Sequence, residues 1–270
     1  MNLEQEKELL NKKITAAREN EIAIASQIQE SLLIEKPPQN LMKIQIAQVT
    51  IASQEVDGDF YDFFKHNDNC INIVVGDVMG KGIPAALLGA ATKNYFLRVL
   101  FRLLSSLSCS SIPDPETIVS SVKTDMIEKL EKLEIFVTLC YARLDLKSNI
   151  ISYVNCGHMN TIHYQKQSND VILHEGENMP LGFPEKEPIK KISKEFHSGD
   201  ILFFYSDGLT EASNTDGELF GEQRLVKAII NYAAELPEKI IAKIKNKIID
   251  FTKTVKFLDD FTCVVIKIDD

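Results

Sequence analysis

Four acidic sites in this chain share one setting. Asp59 lies in the run Glu55-Val-Asp-Gly-Asp-Phe-Tyr-Asp62. Asp77 follows the apolar run 71–76 and precedes Val-Met-Gly-Lys-Gly. Asp207 follows Ile-Leu-Phe-Phe-Tyr-Ser and precedes Gly208, and Asp259 and Asp260 stand directly before the apolar stretch Phe261–Ile268. Each is a carboxylate at the edge of a strand expected to be buried, with a glycine or a second acid beside it. Aspartate and glycine gather wherever strands end, so any one of these sites alone reads as a turn. The set reads differently. Acids converging beside a core repel one another, unpaired buried charge is costly, and no matching set of Lys or Arg sits at those strand ends. A divalent cation removes the conflict, and an all-oxygen donor set selects Mg²⁺ or Mn²⁺ over zinc. Two such ions can polarise a phosphoryl group and lower the pKa of a bridging water. Spacing leaves open whether the acids converge, but a hard-metal hydrolase is the best single inference. A two-carboxylate glycosidase, the rival enzyme class, needs one acid pair rather than four acid motifs.

The elements that must position these acids follow from periodicity. Segments 43–52, 60–66 and 70–78 are short and rich in Ile, Val and Phe, and read as strands. A helix is predicted over 82–104, with Pro84 in its first turn, and another over 115–132 after a Ser-rich loop. Strands follow near 134–145, 150–156, 160–165, 171–174 and 200–206, then helices over 222–233 and 236–251, and a last strand over 261–268. Strands come in runs with helices between them, so an α+β architecture with antiparallel strands fits better than a doubly wound parallel sheet.

Residues 1–34 read as one helix, because Leu3, Leu10, Ile14, Ala17, Ile24, Ile28 and Leu32 share a stripe. Pro37 and Pro38 end it, and Lys7 and Glu21 interrupt the stripe, which weakens a coiled-coil reading. A helix packed on its own domain and a dimerising or signal-relaying helix both remain open. The economical division is an N-terminal helix over 1–36 and one catalytic domain over 37–270.

Composition narrows the partners. The 270 residues hold 30 Lys+Arg against 39 Asp+Glu, a net charge of -9. That surplus argues against a nucleic-acid face, which needs clustered bases, and against polybasic membrane docking. No charge-free apolar run is long enough for a membrane helix, and the N-terminus lacks a signal peptide's apolar segment. Five scattered cysteines without a CxxC pair read as buried reduced thiols in a cytoplasmic protein.

Taken in order, several motifs resemble the PPM-type (type 2C) metal-dependent protein phosphatases, in their bacterial SpoIIE/RsbU-like branch. They are Glu55–Asp62, Gly76-Asp-Val-Met-Gly-Lys-Gly-Ile-Pro-Ala-Ala86, Asn155-Cys-Gly-His158, Pro180-Leu-Gly182, Gly199-Asp200, Tyr205-Ser-Asp-Gly-Leu-Thr-Glu211, Phe220-Gly221 and Asp259-Asp-Phe-Thr262. The likeness runs from about residue 22 to 267. It implies a sandwich of two antiparallel β-sheets flanked by helices, with a two-ion Mn²⁺/Mg²⁺ site at one edge. It also implies hydrolysis of phosphoserine or phosphothreonine on a regulatory protein, of the anti-anti-sigma (STAS) type, by metal-activated water. Carried over by position, Asp77 bridges both ions and Val78 lends its carbonyl. Asp207 and Asp259 complete the ligands, and Asp59 binds directly or through water. Asp260, where the wider family often has Asn, stands behind them. Gly58, Gly80, Lys81 and Gly208 lie beside the ligands or on the substrate side. An upstream activator or a second copy would act through residues 1–36. The rival within the family is an inactive pseudophosphatase kept as a scaffold, against which the full set of aspartates counts.

The chain also departs from the pattern. The branch usually has Gly-Gly-Asp where this chain has Asp57-Gly58-Asp59; the extra acid is expected in solvent, with a ligand role as the alternative. Met79 stands where eukaryotic relatives have a His proposed as general acid, and no Arg lies between residues 41 and 97. Leaving-group protonation would then fall to metal-bound water. Lys81 is the nearest cation, either touching the phosphate or solvated. Gly76–Gly82 fails the P-loop pattern. His158 is expected to be a structural histidine bonding a loop carbonyl, Phe60 and Tyr61 to pack in the core, and Thr138 and Thr262 to make local backbone hydrogen bonds. The helix over 82–104 begins at the metal loop, so its movement, or that of residues 1–34 against it, could control metal loading.

Overall fold

A computed structural model describes residues 3–33, 36–38, 41–54, 56–106, 112–184 and 187–269. Helix α1 (Leu3–Leu33) leads into β1 (Ile44–Ile51), β2 (Phe60–Asn67), β3 (Cys70–Val78), α2 (Ile83–Ser106) and α3 (Pro115–Leu133). There follow β4 (Val137–Asp145), β5 (Ile150–Cys156), β6 (Thr161–Gln165), β7 (Asp170–His174), β8 (Ile192–Glu195) and β9 (Ile201–Tyr205). After β9 comes a single 3₁₀ turn, Asp207–Leu209, then α4 (Gly221–Tyr232), α5 (Pro237–Thr252) and β10 (Phe261–Ile268).

Two five-stranded sheets result, in the orders β1-β10-β9-β6-β7 and β2-β3-β4-β5-β8. All of their pairings are antiparallel. The expected α+β sandwich is the fold. Side chains alternate across each strand, and here both faces are covered. On β3, Ile71, Ile73 and Val75 join Leu202, Phe204, Val264 and Ile266 in the layer between the sheets. Val74 and Val78 face outward onto Phe96, Val99, Ile118 and Val122 of α2 and α3. On the other sheet Phe203, Tyr205 and Val265 pack under Leu225, Ile240, Ile244 and Ile248 of α4 and α5. Double coverage is why the central strands read as continuous apolar runs rather than as alternating ones.

Strand β8 was not expected from the sequence. Its residues, Ile-Ser-Lys-Glu, are mostly exposed at a sheet edge, so burial imposes no pattern on them. Phe60 and Tyr61 are buried as expected, and the free thiols of Cys70, Cys140, Cys156 and Cys263 are buried; Cys109 lies outside the described residues. Among the described residues no helix is long and apolar enough to cross a membrane. Helix α1 contacts α2, and of its predicted stripe Ile14, Ile24 and Ile28 are exposed. The side chains of Leu3, Leu10, Ala17 and Leu32 lie outside the described residues.

Candidate metal centre

The acid-bearing segments meet at one edge of the sandwich. Strand pairing explains part of this. Phe60 is opposite Gly76 in the β2–β3 ladder, so the start of β2, carrying Asp59, lies beside the end of β3, carrying Asp77. In the other sheet Tyr205 is opposite Cys263, and Ser206 N donates to Thr262 O at 2.9 Å. Asp207 therefore leaves β9 beside Asp259 and Asp260, which enter β10. Glycines then allow close approach at the edge of each sheet. A Cβ on Gly58 would lie 3.3 Å from Val78 O and 3.5 Å from Asp77 Oδ1. One on Gly208 would lie 2.1 Å from Asp260 O.

Electrostatics confirm that the carboxylates feel one another. Burial, followed by the charges of Asp207, Asp259 and Asp260, pushes the Asp77 pKa up to about 7. Burial, then Glu211 and Asp259, raises Asp207. Asp59 is 7% exposed; burial and the charges of Asp57 and Asp77 hold its pKa well above the ordinary carboxylate range. Its Oδ2 is buried without a hydrogen-bond partner.

Asp57 corrects an expectation. It is 5% exposed, not in solvent. Its Oδ1 accepts from Asp59 N at 2.7 Å, and Oδ2 accepts from Thr50 Oγ1. Burial and a hydrogen bond to Asp260 push its pKa up to about 8. Asp260 is buried too, but its hydrogen bonds outweigh burial and its pKa is lowered. Its carboxylate accepts from Ser53 N at 2.7 Å and Gly58 N at 2.9 Å, so it ties the Asp57–Asp59 loop to the start of β10.

Lys81 is exposed but paired. Its Nζ lies 2.9 Å from Asp259 Oδ2 and donates to Leu258 O at 3.0 Å. Slight burial opposes its charge, but the Asp259 hydrogen bond prevails and raises its pKa. Gly80, with φ +100, has open space around it. His158 bonds the Thr138 hydroxyl, with Nδ1 at 3.0 Å; burial lowers its pKa to about 4, against a smaller opposing effect of the Tyr205 backbone. Thr138 and Thr262 correspondingly bond side chains, Thr262 meeting Thr50 Oγ1 at 2.7 Å, rather than local backbone.

Sequence reasoning missed one contributor. Gln29 of α1 clasps the backbone of Asp57 from both sides. Its Nε2 donates to Asp57 O at 2.7 Å and its Oε1 accepts from Asp57 N at 2.9 Å. Nothing local marks Gln29 out, since it is one of many polar residues along the helix.

The residues suit a hard cation. The converging donors are all oxygen, one buried carboxylate oxygen is orphaned, and burial with the charges of neighbouring acids raises the pKa values of Asp59, Asp77 and Asp207. As placed, no group of three or more His, Cys, Asp or Glu among the described residues forms a closed metal shell.

The family of Stage II sporulation protein E (SpoIIE) matches residues 67–269. The chain belongs to this family. It is a PPM-type phosphatase of the SpoIIE/RsbU branch. Phosphoserine phosphatase RsbU of Bacillus subtilis (strain 168) is 26% identical over 251 residues, covering 92% of this chain and 70% of that protein. Phosphoserine phosphatase RsbP of the same organism is 25% identical over 191 residues, covering 71% of this chain but only 45% of that protein. Among solved structures, the SiaA-PP2C domain of Pseudomonas aeruginosa superposes with a TM-score of 0.77 at 18% identity, covering 96% of this chain and 99% of that one. The PP2C phosphatase domain of SpoIIE from Bacillus subtilis, with a fragment of its regulatory domain, gives 0.71 at 19% identity, covering 85% and 64%. The catalytic domain of the serine/threonine phosphatase PstP, solved with two manganese ions, gives 0.54 at 15% identity, covering 84% and 99%. At these identities the structures show a shared fold.

Proposed function

We propose that the chain hydrolyses phosphoserine or phosphothreonine on a regulatory protein, using Mn²⁺ or Mg²⁺. One observation carries this reading. The buried, unpartnered Asp59 Oδ2 faces a cluster of acids whose only bonded cation among the described residues is Lys81. Asp59, Asp77, Asp207 and Asp259, with the Val78 carbonyl, would hold two ions. Bound there, such ions supply Lewis-acid activation of water and of the phosphoryl oxygens.

The chain's own residues do the rest. Gly58 keeps the first acidic loop close to Asp77 and Val78. Asp260 fixes that loop through the Ser53 and Gly58 amides, and Gly208 lets the Asp207 turn sit on the Asp259–Asp260 backbone. Asp57 holds its proton on a buried carboxyl and orients the Asp59 amide. Neutral His158, bonded to Thr138, is a poor candidate for an acid.

Relatives named as phosphoserine phosphatases, and a structure neighbour solved with manganese, support the reading. An anti-anti-sigma (STAS-type) protein is the substrate we favour. Residues 1–36 are the proposed regulatory segment, with 37–270 as the catalytic domain. The exposed stripe on α1 would take an activator or a second copy, and the Gln29 clasp gives α1 a direct hold on the Asp57–Asp59 loop.

The test is phosphate release from an aryl phosphate and a phosphoserine protein, with Mn²⁺ and with chelator. Activity that needs Mn²⁺ and disappears in Asp77→Asn is expected. Turnover that persists in chelator overturns the metal mechanism, and no turnover together with no metal uptake favours a scaffold.

A further inference from the structure

We infer that His158 is a positioning residue for the candidate metal centre: it spans the gap between the two sheets where Asp77 and Asp207 meet, and so sets their separation. This rests on the two-ion reading above. The two aspartates belong to different sheets, Asp77 on β3 and Asp207 in the turn after β9. The charge of Asp207 reaches Asp77, so the two edges are close. Strand pairing fixes positions within each sheet but not between the sheets. The Asp260 carboxylate ties the Asp59 loop across, through Gly58 N. His158 is placed to do the same for Asp77.

The chain crosses from one sheet to the other between β5 and β6, and His158 lies in that crossover. Its backbone is fixed by Asn155. Asn155 Nδ2 donates to His158 O at 3.1 Å and to Met159 O at 3.2 Å, and His158 N donates to Asn155 Oδ1 at 2.8 Å. Gly157 bridges Leu139 of β4, which brings the imidazole beside Thr138, whose hydroxyl meets Nδ1 at 3.0 Å. Thr138 stands directly opposite Asp77 in the β3–β4 ladder, so the two side chains share a face. That face looks into the layer between the sheets, because Val75 and Cys140, each two residues away along its strand, lie in that layer. On the far side Ile162 is opposite Phe203, so the crossover runs alongside the last residues of β9. The Tyr205 backbone, two residues before Asp207, acts on the same ring. Nε2 is buried without a hydrogen-bond partner. An unpaired buried polar atom is costly, so a ring that served only as filling would be better replaced by an apolar one.

Thr138→Val removes the hydroxyl and keeps the shape, and His158→Ala removes the ring. Groups that orient metal ligands from behind govern affinity by about ten- to a hundred-fold. Each variant should therefore weaken Mn²⁺ binding by about ten-fold, read by titration calorimetry. At saturating Mn²⁺ each should lower kcat on an aryl phosphate and leave KM unchanged. Thr138→Ser, which keeps the hydroxyl, should restore both. The double variant should bind Mn²⁺ no more weakly than either single one, since both break the same link. Melting in chelator, followed by circular dichroism, separates positioning from packing. Native Mn²⁺ affinity in His158→Ala and Thr138→Val overturns this role, even where those variants melt earlier. So does an equal loss in Thr138→Ser, or additive losses in the double variant. Binding also separates this role from the activity. No turnover by the native protein, with Mn²⁺ affinity still falling in the variants, sinks the phosphatase reading and leaves His158 in place. A native protein that takes up no Mn²⁺ sinks both.

Discussion

Two buried aspartates in this protein have opposite fates. Asp200, at the start of β9, is 0% exposed. It accepts hydrogen bonds from His163 Nε2, Lys166 N and His197 N, each at 2.9 Å. Burial opposes its charge, but those donors outweigh burial and lower its pKa. Asp59 is nearly as buried, yet its neighbours are Asp57 and Asp77, and its pKa is driven up. Burial raises both; three donors reverse it at Asp200, whereas at Asp59 the charges of Asp57 and Asp77 add to it and outweigh the hydroxyls of Ser206 and Thr262. Asp200 is a finished structural centre. Asp59, under the proposed function, belongs to a centre that positive charge from outside would complete.

The sharpest way to break this contrast is Asp77→Asn. Activity should fall by about 10³-fold, the scale of losing one group that stabilises charge in the transition state, while the metal-free fold keeps its melting temperature, because a repelling acid has gone. Phosphate release and calorimetry read the two sides. Asp200→Asn should do the reverse. Urea unfolding should show a loss of about 3–5 kcal/mol, as when one partner of a buried pair is removed, with Mn²⁺ affinity retained.

Mn²⁺ at a hundred times its Kd should stabilise the native protein by about 2.7 kcal/mol, and chelator should remove that gain. Asp200→Asn should keep the increment and Asp59→Asn should lose most of it. In chelator, stability should also decline as pH rises. Asp57 and Asp77 have folded pKa values of about 8 and about 7, above those of an unfolded chain. Between about pH 4 and 8 the folded state therefore binds more protons than the unfolded one. Their contribution is complete below the unfolded pKa and is lost as pH passes through the folded values. Melting curves at stepped pH should show this slope, and Mn²⁺ should flatten it by replacing the protons. The smallest expected effect is that of Gln29→Ala. Losing the clasp on Asp57 costs about 1 kcal/mol per hydrogen bond, and Mn²⁺ affinity measured by titration calorimetry should weaken by about five-fold.

What the sequence revealed depended on how far apart the cause lay. The strand Cys70–Val78 was legible because burial on both faces writes a continuous apolar run into one local segment. The strand Ile192–Glu195 was not, since its pairing with β5 is set by the sheet and leaves no mark on its own residues. The acids of the candidate centre were legible as motifs. Asp57 was misread because its environment comes from Thr50, Asp260 and Gln29, which no local pattern brings together. His163 and Asp200 meet only through the pairing of β6 with β9, so the motif around Asp200 gave no sign of its imidazole partner. Lys81 was open between two roles until the 253–258 loop was seen to bring Leu258 O and Asp259 to its ammonium.

Gly208 carries a consequence for how the molecule moves. With no room for even a methyl group between it and the Asp260 carbonyl, the turn after β9 and the entry to β10 cannot slide independently, and Ser206 Oγ pins them further by donating to Asp260 O at 3.1 Å. Two stretches of chain more than fifty residues apart thus behave as one rigid jaw. The Asp57–Asp59 loop, which α1 holds through Gln29, is tied to that jaw by the Asp260 carboxylate through the Ser53 and Gly58 amides, so a pull on α1 would be felt at the entry to β10 as well.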